Sequence, residues 1–254
     1  MRFFGNLHWI DDEDGSRDYI LCYTILSMAS QSLRPNISRV IYNAVLFDPK
    51  NREVTSKDAD SLQESVKRLF TLLKARQVDF LLVGGIAVLN YVEGRNTEEL
   101  GLIIAVPALK KLPEIKLSNQ EQFFGRGSFE GLNIDLLLTT NPLFAKVMQQ
   151  NATPRPFQEM EVPTATVDGF ILLKLYALPS LYRQGNFGRF SLYENDIAVL
   201  VFQYDPDLTA IVRELAEYVT GGDMEEIQHI LAEIQLRIAH FKKKSSSLNH
   251  SGEQ

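Results

Sequence analysis

Cysteine is nearly missing from this chain: Cys22 stands alone among 254 residues. A single cysteine excludes an intramolecular disulfide framework and a cysteine cage for a metal, and it fits a reducing compartment. Histidine is sparse as well. His8, His229, His240 and His250 show no H-E-x-x-H or comparable ligand spacing, which argues against a zinc site. No apolar run approaches the roughly 18–20 residues that span a bilayer. The opening MRFFGNLHWIDDEDG has neither the basic start nor the long apolar core of a signal peptide. The expectation is a cytoplasmic chain with no membrane partner. Positive charge is in deficit, with 26 Lys and Arg against 32 Asp and Glu and a net charge of −6. That balance disfavours a broad electrostatic grip on nucleic acid and leaves only a local basic groove open. The Walker pattern GxxxxGK[ST], the dinucleotide pattern GxGxxG and the nucleophile elbow GxSxG are all absent.

What is present is an ordinary globular composition, 45% hydrophobic and 23% charged. Residues 1–57 read as an extension packed on the main domain, with a strand-like, β-branched and aromatic run at Ile37–Phe47. From Ser56 the pattern sharpens. Leu62, Val66, Leu69, Phe70 and Leu73 recur at helical spacing, and Ser61 with Glu64 reads as a capping box at the helix start. Phe80–Val83 is apolar and strand-like, Gly84-Gly85 breaks it, Ile86–Val92 is helical in composition, and a second strand runs from Leu100 to Val106. Gly125–Gly131 reads as turn material between two strands, the later one being Leu132–Leu138. Asn141–Gln150 reads as a helix with Pro142 in its first turn. After Pro154 and Pro156 the composition turns helical, with candidates at Val167–Leu178, Tyr193–Gln203, Leu208–Thr220 and Met224–Lys242, the last capped by Asp223. The polar end KKKSSSLNHSGEQ reads as a disordered tail. The expected organisation is an α/β domain over residues 58–155, a helical domain over 156–242 and a tail over 243–254, the whole of the α+β class.

Chemistry concentrates in Asp79–Leu102, DFLLVGGIAVLNYVEGRNTEELGL. Glycines at a strand-to-helix turn let the backbone approach a ligand, and the amides of a helix start favour a phosphate. Gly84-Gly85 is also read as no more than a tight turn that needs positive φ. The second strand opens at Thr97-Glu98-Glu99-Leu100-Gly101. Residues two apart on a strand share a face, so a D-x-D pair at such a place presents two carboxylates to a hard divalent cation. Here the two positions are Glu99 and Gly101, and only one of them carries an acid. Asp135 interrupts the apolar run LNIDLLL. An acid inside such a strand is costly to bury alone, so it is either functional or solvated and paired with an arginine.

These residues resemble the nucleotidyltransferase superfamily, the polymerase-β-like fold, and within it the minimal bacterial branch that includes abortive-infection and toxin–antitoxin nucleotidyltransferases. The resemblance rests on Gly84-Gly85-Ile86-Ala87 for the family's G-G-x-A turn, on Gly94-Arg95-Asn96-Thr97 for the following segment, and on Glu99-Leu100-Gly101 where the family has D-x-D. It continues with Lys174-Leu175-Tyr176-Ala177 for K-L-x-A, and with Arg183 and Arg189 ahead of Asp196-Ile197-Ala198. It implies a mixed β-sheet with flanking helices, magnesium as cofactor and an NTP as ligand. It also implies roles by position: Glu99 and Asp135 on the metal, Gly84, Gly85, Thr97 and Lys174 on the nucleotide, and Asp196 holding that lysine or shaping the site. The departure is Gly101, which offers no ligand at all where the family has its second aspartate.

Three functions follow as expectations. In the first, the fold is kept as a nucleotide-binding or regulatory module with weakened or lost catalysis, with or without a protein partner. In the second, the chain is an active magnesium-dependent enzyme moving a nucleoside monophosphate from an NTP to RNA, protein or a small molecule. In the third, it is an unrelated α/β interaction protein. Two metals need enough negative ligand to offset their charge, so Gly101 favours the first.

Overall fold

The computed structural model describes residues 56–92 and 100–251. The described residues open with α1 (Ser56–Ala75), whose Val66, Leu69, Phe70 and Leu73 form one buried stripe. Gln77, at φ 50°, turns the backbone left-handed and ends that run. There follow β1 (Phe80–Val83), α2 (Gly84–Val88), β2 (Leu100–Ile104), α3 (Val106–Leu109), β3 (Lys116–Gln120), β4 (Phe124–Phe129), β5 (Leu132–Leu138) and α4 (Pro142–Gln150). The remainder is β6 (Ala152–Phe157), β7 (Met160–Ala165), α5 (Val167–Arg183), α6 (Phe187–Tyr204), α7 (Leu208–Leu215) and α8 (Gly221–Ser251).

Among the described residues the strands form one seven-stranded mixed sheet in the order β3-β4-β5-β2-β1-β7-β6. β1 runs antiparallel to β2, β2 parallel to β5, and β1 parallel to β7. All five residues of β2 are buried, as its central place and its sequence LGLII require. The expected α+β class, a mixed sheet with flanking and C-terminal helices, is the architecture found.

Several boundaries differ from the expectation, each for a local reason. The helix at the start of the described residues begins at Ser56, so Ser61 lies inside it instead of capping it. Gly125–Gly131 is not a turn: Gly125 and Gly127 sit within β4, and only Glu130 and Gly131, both at positive φ, make the two-residue hairpin. A Cβ on Gly127 would stand 2.9 Å from the Lys116 carbonyl oxygen, so glycine is what lets β3 lie against β4 there.

The expected boundary at 155/156 falls within β6. Residues 152–165 form the β6–β7 hairpin, and β7 completes the sheet beside β1. The prolines after which the composition was expected to turn helical are strand residues. Pro154 and Pro156 lie on β6, an edge strand, where a missing N–H costs least. Pro163 faces Pro154, and the pairing of β7 with β1 is confined to Leu82 and Thr164. One continuous apolar core then runs from Val66 through the sheet to Ile238 on α8, so the helices share the sheet's core.

Among the helices, α5 passes through Pro179 with the loss of one backbone bond. α6 starts at Phe187, six positions before Tyr193, because the Asn186 side chain accepts from the Arg189 amide at 3.3 Å. At the start of α8 the cap is Thr220, whose hydroxyl accepts from the Asp223 amide at 3.2 Å; the Asp223 side chain pairs with Arg183 instead. The same helix continues to Ser251, past residue 243 where a disordered tail was expected. Lysine is a good helix former, and extending a formed helix is far easier than starting one.

Candidate functional site

The site is built where β1 ends and β2 begins. Gly84 takes φ +76°, a left-handed conformation that other residues adopt at a cost, and so turns the strand directly into α2. In the antiparallel register Val83 faces Gly101, which brings the two glycines together. A Cβ on Gly84 would lie 3.2 Å from the Gly101 nitrogen, and one on Gly101 would lie 3.1 Å from the Val83 carbonyl oxygen. Gly101 is thus a place where two backbones press against each other. α2 is five residues long, shorter than Ile86–Val92 suggested, and begins at Gly84 itself. The turn after it is anchored twice, by the Tyr91 hydroxyl donating to the Ala165 carbonyl at 2.8 Å and the Tyr204 hydroxyl donating to the Tyr91 carbonyl at 3.0 Å. Burial pushes the Tyr204 hydroxyl above its ordinary pKa, which keeps it a donor.

Asp135 stands next to Gly101 across the parallel β2–β5 pair. Its carboxylate is engaged from two directions. Arg126, directly opposite on β4, donates from Nε to Oδ1 at 3.2 Å; Arg189, in the first turn of α6, reaches Oδ2 with Nη2 at 3.4 Å. Arg189, Tyr193 and Asp196 then follow at helical spacing along one face of α6. Deeper on that face Asp196 holds Lys174 of α5, with Nζ 2.7 Å from Oδ2 and 4.2 Å from the centroid of the Tyr193 ring. Both members of this ion pair are buried.

Sequence-expected residues therefore fall into three groups. Gly84, Gly85, Gly101 and Asp135 come together at one end of the central strands. Lys174 and Asp196 pair with each other between α5 and α6, on the helix whose first turn reaches Asp135. Thr97 and Glu99, with Glu98 beside it, lie outside the described residues. Arg126 is the participant that sequence reading missed. It and Asp135 are equidistant from the Glu130-Gly131 turn, so reading FGRGSFEGLNIDLLL as a hairpin would have paired them.

Do these donors fit magnesium? Hard divalent cations need several anionic or neutral oxygens with free lone pairs. The Asp135 oxygens each accept from a guanidinium, and Gly101 has neither a side chain nor clearance for one. Among the described residues no three of His, Cys, Asp and Glu stand together. The described residues do not fit a divalent cation. A separate cavity of about 740 Å³ opens at the other end of the sheet, lined by Phe70, Lys74, Phe80, Met148 and Glu161 among others, and includes none of the candidate residues. No helix among the described residues is long and apolar enough to cross a membrane.

No family model matches this chain, and no curated protein matches it. Among solved structures it is similar to the antibiotic-resistance factor ANT(2'')-Ia, at 9% identity and a TM-score of 0.43, covering 75% of this chain and 96% of that one. It is also similar to an antigenic nucleotidyltransferase-like protein from Paracoccidioides brasiliensis, at 16% identity and a TM-score of 0.41, covering 66% of this chain and 92% of that one.

Proposed function

We propose that this chain is a nucleotidyltransferase-fold protein that has given up metal-dependent transfer and serves as a nucleotide-binding or regulatory module. The motif order from Gly84-Gly85-Ile86-Ala87 to Asp196-Ile197-Ala198 supports the fold reading, as does the sheet that puts Asp135 beside Gly101. One observation carries the loss of transfer: each oxygen of Asp135 accepts from an arginine, Arg126 on Oδ1 and Arg189 on Oδ2. Two-metal transfer needs carboxylates that bridge cations and clamp the attacking and leaving oxygens. A carboxylate already neutralised by two guanidiniums is a poor start for that, and Gly101 adds nothing to it.

The test is a titration of each NTP with and without magnesium, followed by an assay for pyrophosphate release. The expected result is nucleotide binding with no magnesium enhancement and no release. Magnesium-dependent release that disappears in Glu99→Ala and Asp135→Ala variants would overturn the reading and establish the active enzyme. Absence of any NTP binding would overturn it in favour of an unrelated interaction protein.

A further inference from the structure

We infer that the cavity lined by α1 and α4 is a docking groove for a segment of this same chain, Ile37–Phe47. The inference is independent of the nucleotide reading, since the cavity includes none of the residues at the Gly84–Asp135 end of the sheet. About 740 Å³ is open there. α1 contributes Phe70 and Lys74, α4 Met148 and Gln149, β1 Phe80 and β7 Val162. Polarity is sorted across this lining. Its buried members, Phe70, Val78 and Val162, are all apolar, and Phe70 stacks on Phe80 at 5.8 Å. Its charged members, Lys74, Asp79 and Glu161, are all exposed, and together they carry one more negative charge than positive. A small-molecule pocket sets a few polar groups inside an apolar wall. A chain-to-chain interface instead puts apolar side chains at its centre and charge at its rim, and that is the pattern here.

Such a groove asks for a short apolar run with an excess of positive charge. Ile37–Phe47, ISRVIYNAVLF, is one: Val40, Ile41, Val45, Leu46 and Phe47 are apolar, and Arg39 is its one charged residue. The segment lies outside the described residues, and the length of chain that joins it to α1 lets it reach. Phe70 and Lys74 stand 14 and 18 positions beyond Ser56, where α1 begins. At about 1.5 Å per residue they are about 21 and 27 Å along the helix. Phe47 stands nine positions before Ser56, and nine extended residues span up to about 30–32 Å. A chain that doubles back at the start of α1 therefore brings the segment to the cavity with a few ångströms to spare.

The experiment is cross-linking of the full chain in a Cys22→Ser background, with Asn43→Cys in the segment and Gln149→Cys at the cavity. A short bismaleimide joins the thiols, and mass spectrometry reads the link. Both substitutions replace polar residues, and Gln149 is exposed, so the apolar contacts stay in place. A link within one chain is expected between positions 43 and 149, and none from 43 to a control, Gln184→Cys, at the end of α5. Adding Arg39→Glu should slow the link about two- to fivefold, the scale of an exposed ion pair, and Glu161→Lys in that variant should restore it. A second measurement needs no cross-link. The dye anilinonaphthalene sulfonate, which brightens on open apolar surface, should stay dim with the wild-type chain and brighten severalfold with Ile41→Asp and Val45→Asp together. Links that form only between chains would overturn the inference in favour of a second copy's segment. No link above the control, or a dye already bright with the wild type, would overturn it in favour of a small molecule or another protein as occupant.

Discussion

Gly101 means more at the residue scale than a missing acid. Beside Glu99 in the sequence it looks like a vacancy in a metal motif, and restoring the aspartate looks like a repair. The backbone contact with Val83 and Gly84 says otherwise, since any Cβ there meets the Val83 carbonyl oxygen at 3.1 Å. Gly101→Asp is therefore expected to lower stability by about 1–3 kcal/mol, as overpacking does. It should create no magnesium affinity, because Arg126 and Arg189 remain on Asp135. Denaturant unfolding and metal titration of that variant check both halves. The sequence carried the identity of Gly84, Gly101 and Asp135 but not their contacts. Pairing between strands is long-range information, and Arg126 enters the site only once the β4–β5 register is known.

Within the core that α5 and α6 share, a buried ion pair links the two helices. Lys174 and Asp196 are both almost fully enclosed, and the Tyr193 ring covers the ammonium. Removing one partner of a buried ion pair costs about 3–5 kcal/mol, whereas replacing both by apolar groups of similar size is often near neutral. Lys174→Met and Asp196→Leu should each destabilise strongly, and the double variant should recover most of the loss in a thermal or denaturant melt. If the pair also shapes the site, the double variant should melt normally yet bind ATP more weakly, since Arg189 and Asp196 share one helix face. Helices of this kind were legible because their apolar periodicity is local. Their ends were less so: the start of α6 at Asn186 and the passage of α5 through Pro179 depend on a cap and on packing that periodicity does not show.

At the scale of the molecule, residues 58–155 are expected not to fold as a unit without the hairpin that follows them. Cutting at 155 removes β7, leaves Leu82 without its partner Thr164, and uncovers the core shared with α5 and α6. A 58–155 fragment is expected to show no cooperative melt by circular dichroism, while a fragment spanning 56–251 should melt in one transition. The sequence hid this because Pro154, Pro156 and Pro163 look like linker residues until the hairpin is seen to place Pro154 and Pro156 on an edge. A second tie across the fold joins the end of α5 to the start of α8, where Arg183 meets Asp223. The Arg183 guanidinium holds the Asp223 carboxyl below its ordinary pKa. A depressed carboxylate contributes stability above its unfolded pKa of about 3.9 and loses it as pH falls through the lower folded value. Arg183→Ala should thus melt slightly lower than the wild type at neutral pH. The gap should close in acid, once Asp223 is protonated in both proteins. Because Arg183 is largely exposed, the effect at neutral pH should not exceed about 1 kcal/mol.

The two outer strands settle how this sheet meets its surroundings. An open sheet edge is a template on which further strands can add, in fibrils and in edge-to-edge assemblies. On one flank β6 carries Pro154 and Pro156, which cannot donate the bonds an incoming strand would need. On the other, β3 is exposed at every residue, begins with Lys116, and shifts register between Leu117 and Asn119, so its ladder is irregular. Neither flank offers a straight run of free donors and acceptors. Among the described residues both edges of the sheet therefore resist the addition of a further strand.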